Sequence, residues 1–287
     1  MVWVPGYGRY FSHCHAASDF RAADLLGLDL PHYGRSYVEE GYDEDGNELD
    51  NVPPPPAQGD MWVQYYFQVY QDALARCQAL GYRKVVFMCN STAGLTIQCW
   101  LHHLKRSSAQ EWPSGVIFTA PFWQPVSPLL KNMPYLFLRS LTVLFPRLIL
   151  FVDPVVTKKG DGWLDQKFLA CLNSGRDTVK YDPYYNPTNN GPYYVEWFAM
   201  VIQAQSHLRT LCSEGEQLPC EALLLTATAQ SDDAHVDLDA VHDMFETFYP
   251  NGRGERVSGV NHEIMLSEAE PYNEAMGLVN HFIQGLS

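Results

Sequence analysis

A serine held between small residues is the first feature of this sequence that could do chemistry. Residues 87–95 read FMCNSTAGL, in which an apolar run leads into Ser91. A nucleophilic serine needs a strand that turns sharply into a helix, with small residues two before and two after it. Cys89 and Ala93 stand at those positions, where the motif G-x-S-x-G has glycine. The same residues also fit a serine that caps the helix N-terminus, so the local sequence leaves both interpretations open.

Two later segments supply the partners that an activated serine requires. Such a serine needs a general base, and the base needs an acid to orient it. Asp232 and Asp233 follow the apolar run ALLLTATA, and His262 follows ERVSGV. Either aspartate could instead cap the next helix, and His262 could be a surface histidine on a turn. The order serine, acid, histidine, each after a strand-like run, favours a triad at the carboxyl edge of a parallel sheet.

The elements that would hold these residues are short apolar runs that alternate with helix-like segments. The runs are almost unbroken by charge, as strands buried on both faces of a sheet are. This alternation predicts an α/β fold with a mostly parallel sheet covered by helices. The predicted strands cover residues 2–5, 25–30, 85–88, 115–119, 222–226 and 255–257, and the predicted helices cover 61–80, 92–105, 195–211, 239–248 and 268–283.

Two stretches fall outside this alternation. Residues 37–60 are acidic and then proline-rich, which predicts an exposed loop. Residues 122–218 are too many for a simple crossover and contain helix-like segments of their own. We therefore expect residues 1–121 and 219–287 to form the core of the fold, and residues 122–218 to form an inserted helical cap or lid.

The predicted cap is rich in apolar and aromatic side chains. Most of these side chains must be core, but some should line a pocket, because small-molecule sites are largely apolar with a few polar anchors. We single out Phe122, Trp123 and Trp197 as substrate-binding residues. A pocket of this kind predicts a substrate with an apolar acyl or alcohol part.

Composition and charge argue against several classes of protein. The chain has 287 residues and a formal net charge of −14, so its surface would repel a phosphate backbone, and we expect no nucleic-acid partner. The apolar stretch over residues 135–152 contains two arginines and a proline, so we expect no integral membrane span. Seven irregularly spaced cysteines, without C-x-x-C, and first residues unlike a secretory signal predict a cytoplasmic protein with free thiols.

Other candidate sites are weaker. The motif HCH at residues 13–15 and the pair His102-His103 have no carboxylate at metal-ligand spacing. Gly6 and Gly8 lack the third glycine of a nucleotide-binding turn, and Cys89 is better explained as a packed thiol than as a nucleophile. We therefore expect no metal and no cofactor. No feature of the sequence indicates an oligomeric state.

Four stretches together give a resemblance to a known family. VPGYGRY resembles a strand followed by HG-x-G, LDLPHYGRS resembles D-x-R-G-H-G-R-S, CNSTAGL resembles G-H-S-x-G-G, and GVNHE resembles G-x-x-H-E. In these motifs the chain resembles the α/β-hydrolases of the serine aminopeptidase and monoacylglycerol lipase group, often described as lysophospholipase-like. The resemblance implies an α/β-hydrolase fold with a sheet of about six strands, without the strands that relatives have before the first of these motifs.

The resemblance also implies a role for each site residue. Ser91 would be the nucleophile and His262 the base. Residues 233–236 read DAHV and match the family's D-x-x-V, so Asp233 would be the acid, with Asp232 as the alternative. The oxyanion hole would use the backbone N–H groups of Tyr7 and Thr92.

These observations predict a serine hydrolase that cleaves carboxylic esters with an apolar part through a Ser-His-Asp triad and an acyl-enzyme. A peptidase, an amidase or a lactonase could use the same residues. A ligand-binding protein on the same fold, with slow or no turnover, is the alternative from a different class.

Overall fold

Six parallel strands form the sheet that carries the candidate site. The computed structural model describes residues 1–6, 14–21, 23–28, 30, 61–145, 148–152, 174, 192–230, 233 and 235–286. The predicted loop over residues 37–60 lies outside these residues. The described strands are β1 (Val2–Val4), β2 (Leu26–Gly27), β3 (Val86–Asn90), β4 (Gly115–Thr119), β5 (Ile149–Val152), β6 (Pro192–Tyr194), β7 (Glu221–Ala227) and β8 (Arg253–Val257).

The sheet runs in the order β2-β1-β3-β4-β7-β8, and every neighbouring pair in it is parallel. The prediction of a mostly parallel sheet of about six strands is therefore confirmed. β2 lies at one edge of this sheet, and β8 lies at the other edge.

Helices lie on both faces of the sheet. The α-helices are α1 (Phe67–Ala79), α2 (Thr92–Arg106), α3 (Pro128–Asn132), α4 (Tyr135–Leu144), α5 (Val195–Ser213), α6 (Leu238–Phe248) and α7 (Ala269–Gly285). Short 3₁₀ helices cover Cys14–Asp19, Trp62–Tyr66 and Ile264–Leu266. The predicted helix over residues 61–80 is thus divided into a 3₁₀ turn followed by α1.

Alternate side chains of the central strands enter two separate hydrophobic cores. Phe87 and Cys89 of β3 point into the core on one face, whereas Val86 and Met88 point into the core on the other. This alternation follows from the two-residue period of a strand. The first core packs against residues of α1, α2, α5 and α6, and the second packs against residues of α7. Burial on both faces explains why β3 and β4 are almost entirely apolar.

The region predicted as a cap contains α3, α4, α5 and an antiparallel pair formed by β5 and β6. The apolar stretch over residues 135–152 is therefore a helix followed by a strand. α5 contacts both α4 and α2, so it connects this region to the helices on the sheet. Among the described residues, no helix is long and apolar enough to cross a lipid bilayer. The division into core and cap remains a prediction, because residues 153–173 and 175–191 lie outside the described residues.

Candidate functional site

Ser91 lies on a sharp turn between β3 and α2. Its backbone angles are φ 51° and ψ −119°, in a region that residues other than glycine rarely adopt. Two backbone hydrogen bonds hold the turn: Ser91 N donates to Thr119 O over 3.1 Å, and Phe122 N donates to Ser91 O over 2.9 Å. The Ser91 side chain makes no capping hydrogen bond to α2. The geometry is that of a strained strand-turn-helix elbow, and the alternative of a capping serine is excluded.

The elbow is crowded, and glycine is needed at two positions around it. A Cβ atom on Gly6 would lie 3.0 Å from Ser91 Cβ and 3.2 Å from Asn90 O. A Cβ atom on Gly94 would lie only 2.6 Å from Pro121 Cβ, so any larger residue would displace α2 from the loop after β4. Glycine at these two positions therefore allows the end of β1 and the loop after β4 to lie close to the elbow.

Cys89 occupies one of the small-residue positions of the elbow. Its side chain is fully buried, and its thiol donates to Ile117 O over 3.4 Å. Burial raises the pKa of this thiol well above its ordinary value, which disfavours the thiolate that a nucleophile requires. Cys89 is therefore the packed thiol that the sequence indicates.

His262 connects Ser91 to Asp233. His262 Nε2 lies 2.9 Å from Ser91 Oγ, and His262 Nδ1 lies 2.9 Å from Asp233 Oδ2. The Asp233 side chain is completely buried, whereas that of His262 is 14% exposed. The structure thus brings together three residues that are far apart in the sequence, with the acid inside and the serine-histidine pair toward the surface. Asp232, the alternative acid, lies outside the described residues.

The surroundings of Asp233 favour its ionised form. Burial raises the pKa of this carboxyl, but the hydrogen bond and charge of His262, together with the backbone N–H groups of His235 and Val236, outweigh it and lower the pKa below its ordinary value. Those N–H groups donate to Asp233 Oδ1 over 3.0 and 3.2 Å. The carboxylate can only accept, so this pairing assigns the proton of the neutral imidazole to Nδ1 and leaves Nε2 to accept from the Ser91 hydroxyl.

The loop that carries Asp233 is fixed by a residue that the sequence interpretation missed. Gln230 donates from Nε2 to the carbonyl oxygens of Asp233 and Val236, and its Oε1 accepts from Leu238 N over 3.3 Å. One amide side chain therefore joins the end of β7, the acid loop and the start of α6. Its only sequence signal is its place three residues before the aspartate.

Sequence interpretation also missed a second buried network beside the elbow. Asn90 Nδ2 donates to Glu263 Oε2 over 3.0 Å, and Thr119 Oγ1 donates to Asn90 Oδ1 over 2.9 Å. The exposed fraction is 1% for Asn90, 1% for Thr119 and 3% for Glu263. Asn90 directly precedes the serine, and Glu263 directly follows the histidine, in the motif GVNHE.

The predicted substrate-binding residues differ in their placement. Phe122 is half-buried directly after the elbow, and Trp197 is half-buried on α5 with its ring edge-on to Phe198 at 5.0 Å. Trp123 is fully buried: its indole N–H donates to Gly94 O over 3.0 Å, and its ring lies edge-on to Phe118 at 4.8 Å. Trp123 therefore packs beneath the elbow, where its side chain has no exposed surface to offer a substrate.

The two predicted oxyanion-hole residues also differ. Thr92 is the first residue of α2, directly after Ser91. Backbone N–H groups at that position have no acceptor within their own helix, and the helix dipole there favours negative charge. Tyr7 lies outside the described residues, although Gly6 before it is in close contact with the elbow.

The described residues contain no group of three or more histidine, cysteine, aspartate or glutamate side chains placed to hold a metal ion. His102 is buried in the core, where its Nε2 accepts from Gln98 Nε2 over 3.1 Å. Burial, with a smaller effect of the charge of His207, lowers the pKa of His102 to about 3, so its ring is neutral at physiological pH.

Comparison with known proteins identifies the fold. No protein-family model and no curated protein sequence matches the chain. Solved structures match over its whole length. The monoacylglycerol lipase of Paleococcus ferrophilus is 17% identical, with a TM-score of 0.66, and the match covers 100% of this chain and 94% of that one. The chain has the α/β-hydrolase fold.

Two further structures agree with this assignment. A soluble variant of monoglyceride lipase from Saccharomyces cerevisiae, in complex with a substrate analogue, is 14% identical, with a TM-score of 0.67, and the match covers 100% of this chain and 86% of that one. DcsB in complex with its substrate analogue is also 14% identical, with a TM-score of 0.61, and the match covers 100% of this chain and 90% of that one. Ser91, Asp233 and His262 lie on the loops after β3, β7 and β8. In α/β-hydrolases the nucleophile, the acid and the histidine follow one another along the chain in this order.

Proposed function

We propose that this protein is a serine hydrolase that cleaves carboxylic esters with an apolar acyl or alcohol part. The observation that carries the proposal is the pair of 2.9 Å contacts that link Ser91 Oγ to Asp233 Oδ2 through His262. The strained backbone of Ser91 supports it, because such strain at a polar residue is concentrated at functional sites. A serine placed only for packing would need neither the strain nor the buried acid.

The first half of the reaction forms an acyl-enzyme. Ser91 Oγ attacks the carbonyl carbon of the ester while His262 Nε2 takes the hydroxyl proton, and the carbonyl electron pair moves to its oxygen. Asp233 keeps the proton on Nδ1 and stabilises the imidazolium. The bond to the alcohol then breaks, and His262 gives its proton to the leaving alkoxide.

The second half releases the acid. His262 takes a proton from water as the water oxygen attacks the acyl carbon, and the bond to Ser91 Oγ then breaks as Nε2 returns the proton to it. We assign the oxyanion hole to the backbone N–H groups of Thr92 and Tyr7, each worth roughly 3 kcal/mol to the transition state. The position of Thr92 at the start of α2, and the close approach of Gly6 to Ser91, support that assignment.

Two observations support an apolar ester as substrate. Phe122 and Trp197 are apolar and half-buried, and Phe122 lies at the elbow itself. Two of the similar structures are lipases of monoacylglycerol or monoglyceride, which are esters with an apolar acyl chain. Within this proposal, residues 122–218 act as the cap above the site. The same residues could instead cleave an amide or a lactone, and a substrate panel that contains matched esters, amides and lactones separates these possibilities.

We also propose that the protein is cytoplasmic. Cys77, Cys89 and Cys99 are buried and free in the structure. Free thiols are characteristic of a reducing compartment, where disulfides do not persist.

The proposal is tested by labelling with a fluorophosphonate probe, followed by mass mapping of the adduct. We expect the wild type to be labelled on Ser91 and the variant Ser91→Ala to remain unlabelled. Ser206→Ala, which alters an exposed serine on α5, is the matched control and should be labelled like the wild type. A panel of esters of increasing acyl length, with matched amides and lactones, then identifies the substrate class.

Failure of the proposal would also be informative. If the folded wild type is neither labelled nor active on any member of the panel, the triad geometry does not activate Ser91. The protein would then be a ligand-binding α/β-hydrolase-fold protein. If a site other than Ser91 is labelled, the nucleophile has been wrongly assigned.

A further inference from the structure

The base reaches the nucleophile from a distant part of the sheet. Ser91 follows β3 and His262 follows β8, and the sheet order places β4 and β7 between these two strands. β8 forms backbone hydrogen bonds only with β7 in the described sheet. The backbone ladder fixes the strands, but contacts outside the sheet must set how closely the histidine loop approaches the elbow.

One side-chain contact joins the residues next to the nucleophile and next to the base. Asn90 Nδ2 donates to Glu263 Oε2 over 3.0 Å, and both side chains are nearly fully buried. Glu263 stands at the N-terminus of the 3₁₀ helix Ile264–Leu266, yet its side chain makes no capping hydrogen bond there. Its carboxyl group is directed to the elbow instead.

Asn90 is itself held in one orientation by β4. Thr119 Oγ1 donates to Asn90 Oδ1 over 2.9 Å, and Thr119 O accepts from Ser91 N over 3.1 Å. Because the hydroxyl donates to the amide oxygen, the amide nitrogen is turned to Glu263. A continuous path of hydrogen bonds thus leads from β4 through Asn90 to the residue that adjoins the base.

We propose that Asn90 and Glu263 are positioning residues, which hold His262 at hydrogen-bond distance from Ser91. The inference rests on the proposed function, since it concerns the same triad. Hydrogen bonds of this kind are strong in a buried site, and a displacement of a reacting group by about 1 Å can lower a rate by about 10²-fold. Both side chains are almost completely buried, so we expect the effect to fall on turnover more than on substrate binding.

Because Asn90 donates and Glu263 accepts, the pair can be tested by exchanging the donor and the acceptor. Asn90→Asp places two carboxyl groups against each other, so we expect kcat to fall by roughly ten- to a hundredfold with KM within about threefold. Glu263→Gln keeps an acceptor for Asn90, so we expect a loss of less than about tenfold. The double variant Asn90→Asp/Glu263→Gln restores one donor and one acceptor in reversed order. It should recover kcat to within about threefold of Glu263→Gln.

Three readouts separate positioning from packing. These are kcat and KM on the best ester of the panel, the rate of fluorophosphonate labelling at Ser91, and the thermal unfolding temperature. The control Asn273→Asp/Glu274→Gln makes the same chemical changes at exposed positions of α7 and should match the wild type in all three. Labelling should fall with kcat in Asn90→Asp and return in the double variant.

The outcomes distinguish this inference from the proposed function. If the wild type is active through Ser91 but Asn90→Asp keeps full kcat and labelling, the positioning role is wrong and the hydrolase stands. If Asn90→Asp lowers the unfolding temperature and the double variant restores that temperature but not kcat, the pair contributes to packing alone. If the wild type is not labelled and hydrolyses no member of the panel, the proposed hydrolase function and the positioning role are both wrong.

Discussion

Gly6 and Ser91 approach each other so closely that a Cβ atom on Gly6 would lie 3.0 Å from Ser91 Cβ. Gly6 follows β1, which pairs with β3 through Val4 and Cys89, so the register of these strands brings the glycine beside the elbow. This close approach explains why the motif VPGYGRY has glycine at position 6. At Gly6 the chain lies too close to the elbow to carry a side chain.

Gly6→Ala should reduce both activity and stability. The added methyl group meets Asn90 O at 3.2 Å as well as Ser91, so the elbow or the chain after β1 must shift. We expect unfolding to become easier by about 1–3 kcal/mol and kcat to fall by roughly tenfold or more. Gly277→Ala is the control, because nothing lies within 4 Å of a Cβ at that position on α7. It should leave kcat unchanged and stabilise α7 by about 0.5–1 kcal/mol. Equal activity of the two variants would contradict the crowding argument.

Asp233→Asn should abolish most turnover without disturbing the loop. Asp233 Oδ1 accepts from the N–H groups of His235 and Val236, so an asparagine would turn its oxygen to them and its amide nitrogen to His262. His262 Nδ1 would then have to accept, and Nε2 would carry the proton that prevents it from accepting from Ser91. We expect kcat to fall by about 10⁴-fold, measured on the best ester of the panel.

Asp237→Asn is the matched control for this change. Asp237 caps α6 by accepting from Ala240 N over 3.2 Å, and asparagine caps a helix equally well. Activity and unfolding temperature should stay near those of the wild type. A loss of activity in the control as large as that of Asp233→Asn would show that the loop, rather than the tautomer of His262, limits the rate.

The bounds of the buried strands can be predicted from the sequence, whereas those of the exposed edge strand β8 can be predicted only in part. The sequence predicts β4 at its observed bounds, Gly115–Thr119, because every residue of this strand is buried. β8 extends over Arg253–Val257, although the sequence predicts only residues 255–257, because Arg253 and Gly254 are exposed at the sheet edge and neither is apolar. Hydrophobic periodicity cannot mark a strand whose side chains remain in water.

The three residues of the triad geometry are predictable because the order of motifs and the ends of strands point to them. Asn90 and Glu263 were not singled out, since an isolated asparagine and glutamate are typical of any surface. Only the register that sets Asn90 beside Thr119, and the fold that brings β8 near β3, reveal that they are buried together. The zero exposure of Trp123 is likewise a property of packing that its aromatic type could not predict.

Stability should decrease in mild acid because of His102. Burial lowers the pKa of His102 to about 3, whereas the unfolded chain has the ordinary value of 6.5. Between these values the unfolded state binds more protons than the folded state, so stability falls as pH decreases from 6.5 toward 3. The slope from this residue approaches about 1.4 kcal/mol per pH unit in that range. Urea unfolding of His102→Gln between pH 7 and pH 4 should show a shallower dependence than the wild type.

The control for this change is His281→Gln, at an exposed position on α7. Its stability should depend on pH as that of the wild type does. His102→Gln should also lower the stability at pH 7, because it removes the edge-on ring contact with Phe248 at 4.9 Å. A wild-type slope in His102→Gln would mean that other groups cause the acid sensitivity.

Phe122 and Trp123 are neighbours in sequence, but their truncation should lower the stability by very different amounts. Trp123 is fully buried between Phe118 and Phe248, so Trp123→Ala should cost about 3–5 kcal/mol of stability. Phe122 is half-buried beside the elbow, and its backbone, rather than its ring, makes the hydrogen bond to Ser91 O. Phe122→Ala should therefore cost less than about 2 kcal/mol of stability.

The ester panel distinguishes their roles in binding. If the Phe122 ring contacts the acyl chain, Phe122→Ala should raise KM for long-chain esters by roughly tenfold and leave short-chain esters nearly unchanged. Trp123→Phe keeps an aromatic ring in the core but loses the hydrogen bond to Gly94 O, so it should lower stability without altering chain-length preference. A change in chain-length preference with Trp123→Phe, and none with Phe122→Ala, would reverse the assignment and place the substrate channel beneath the elbow.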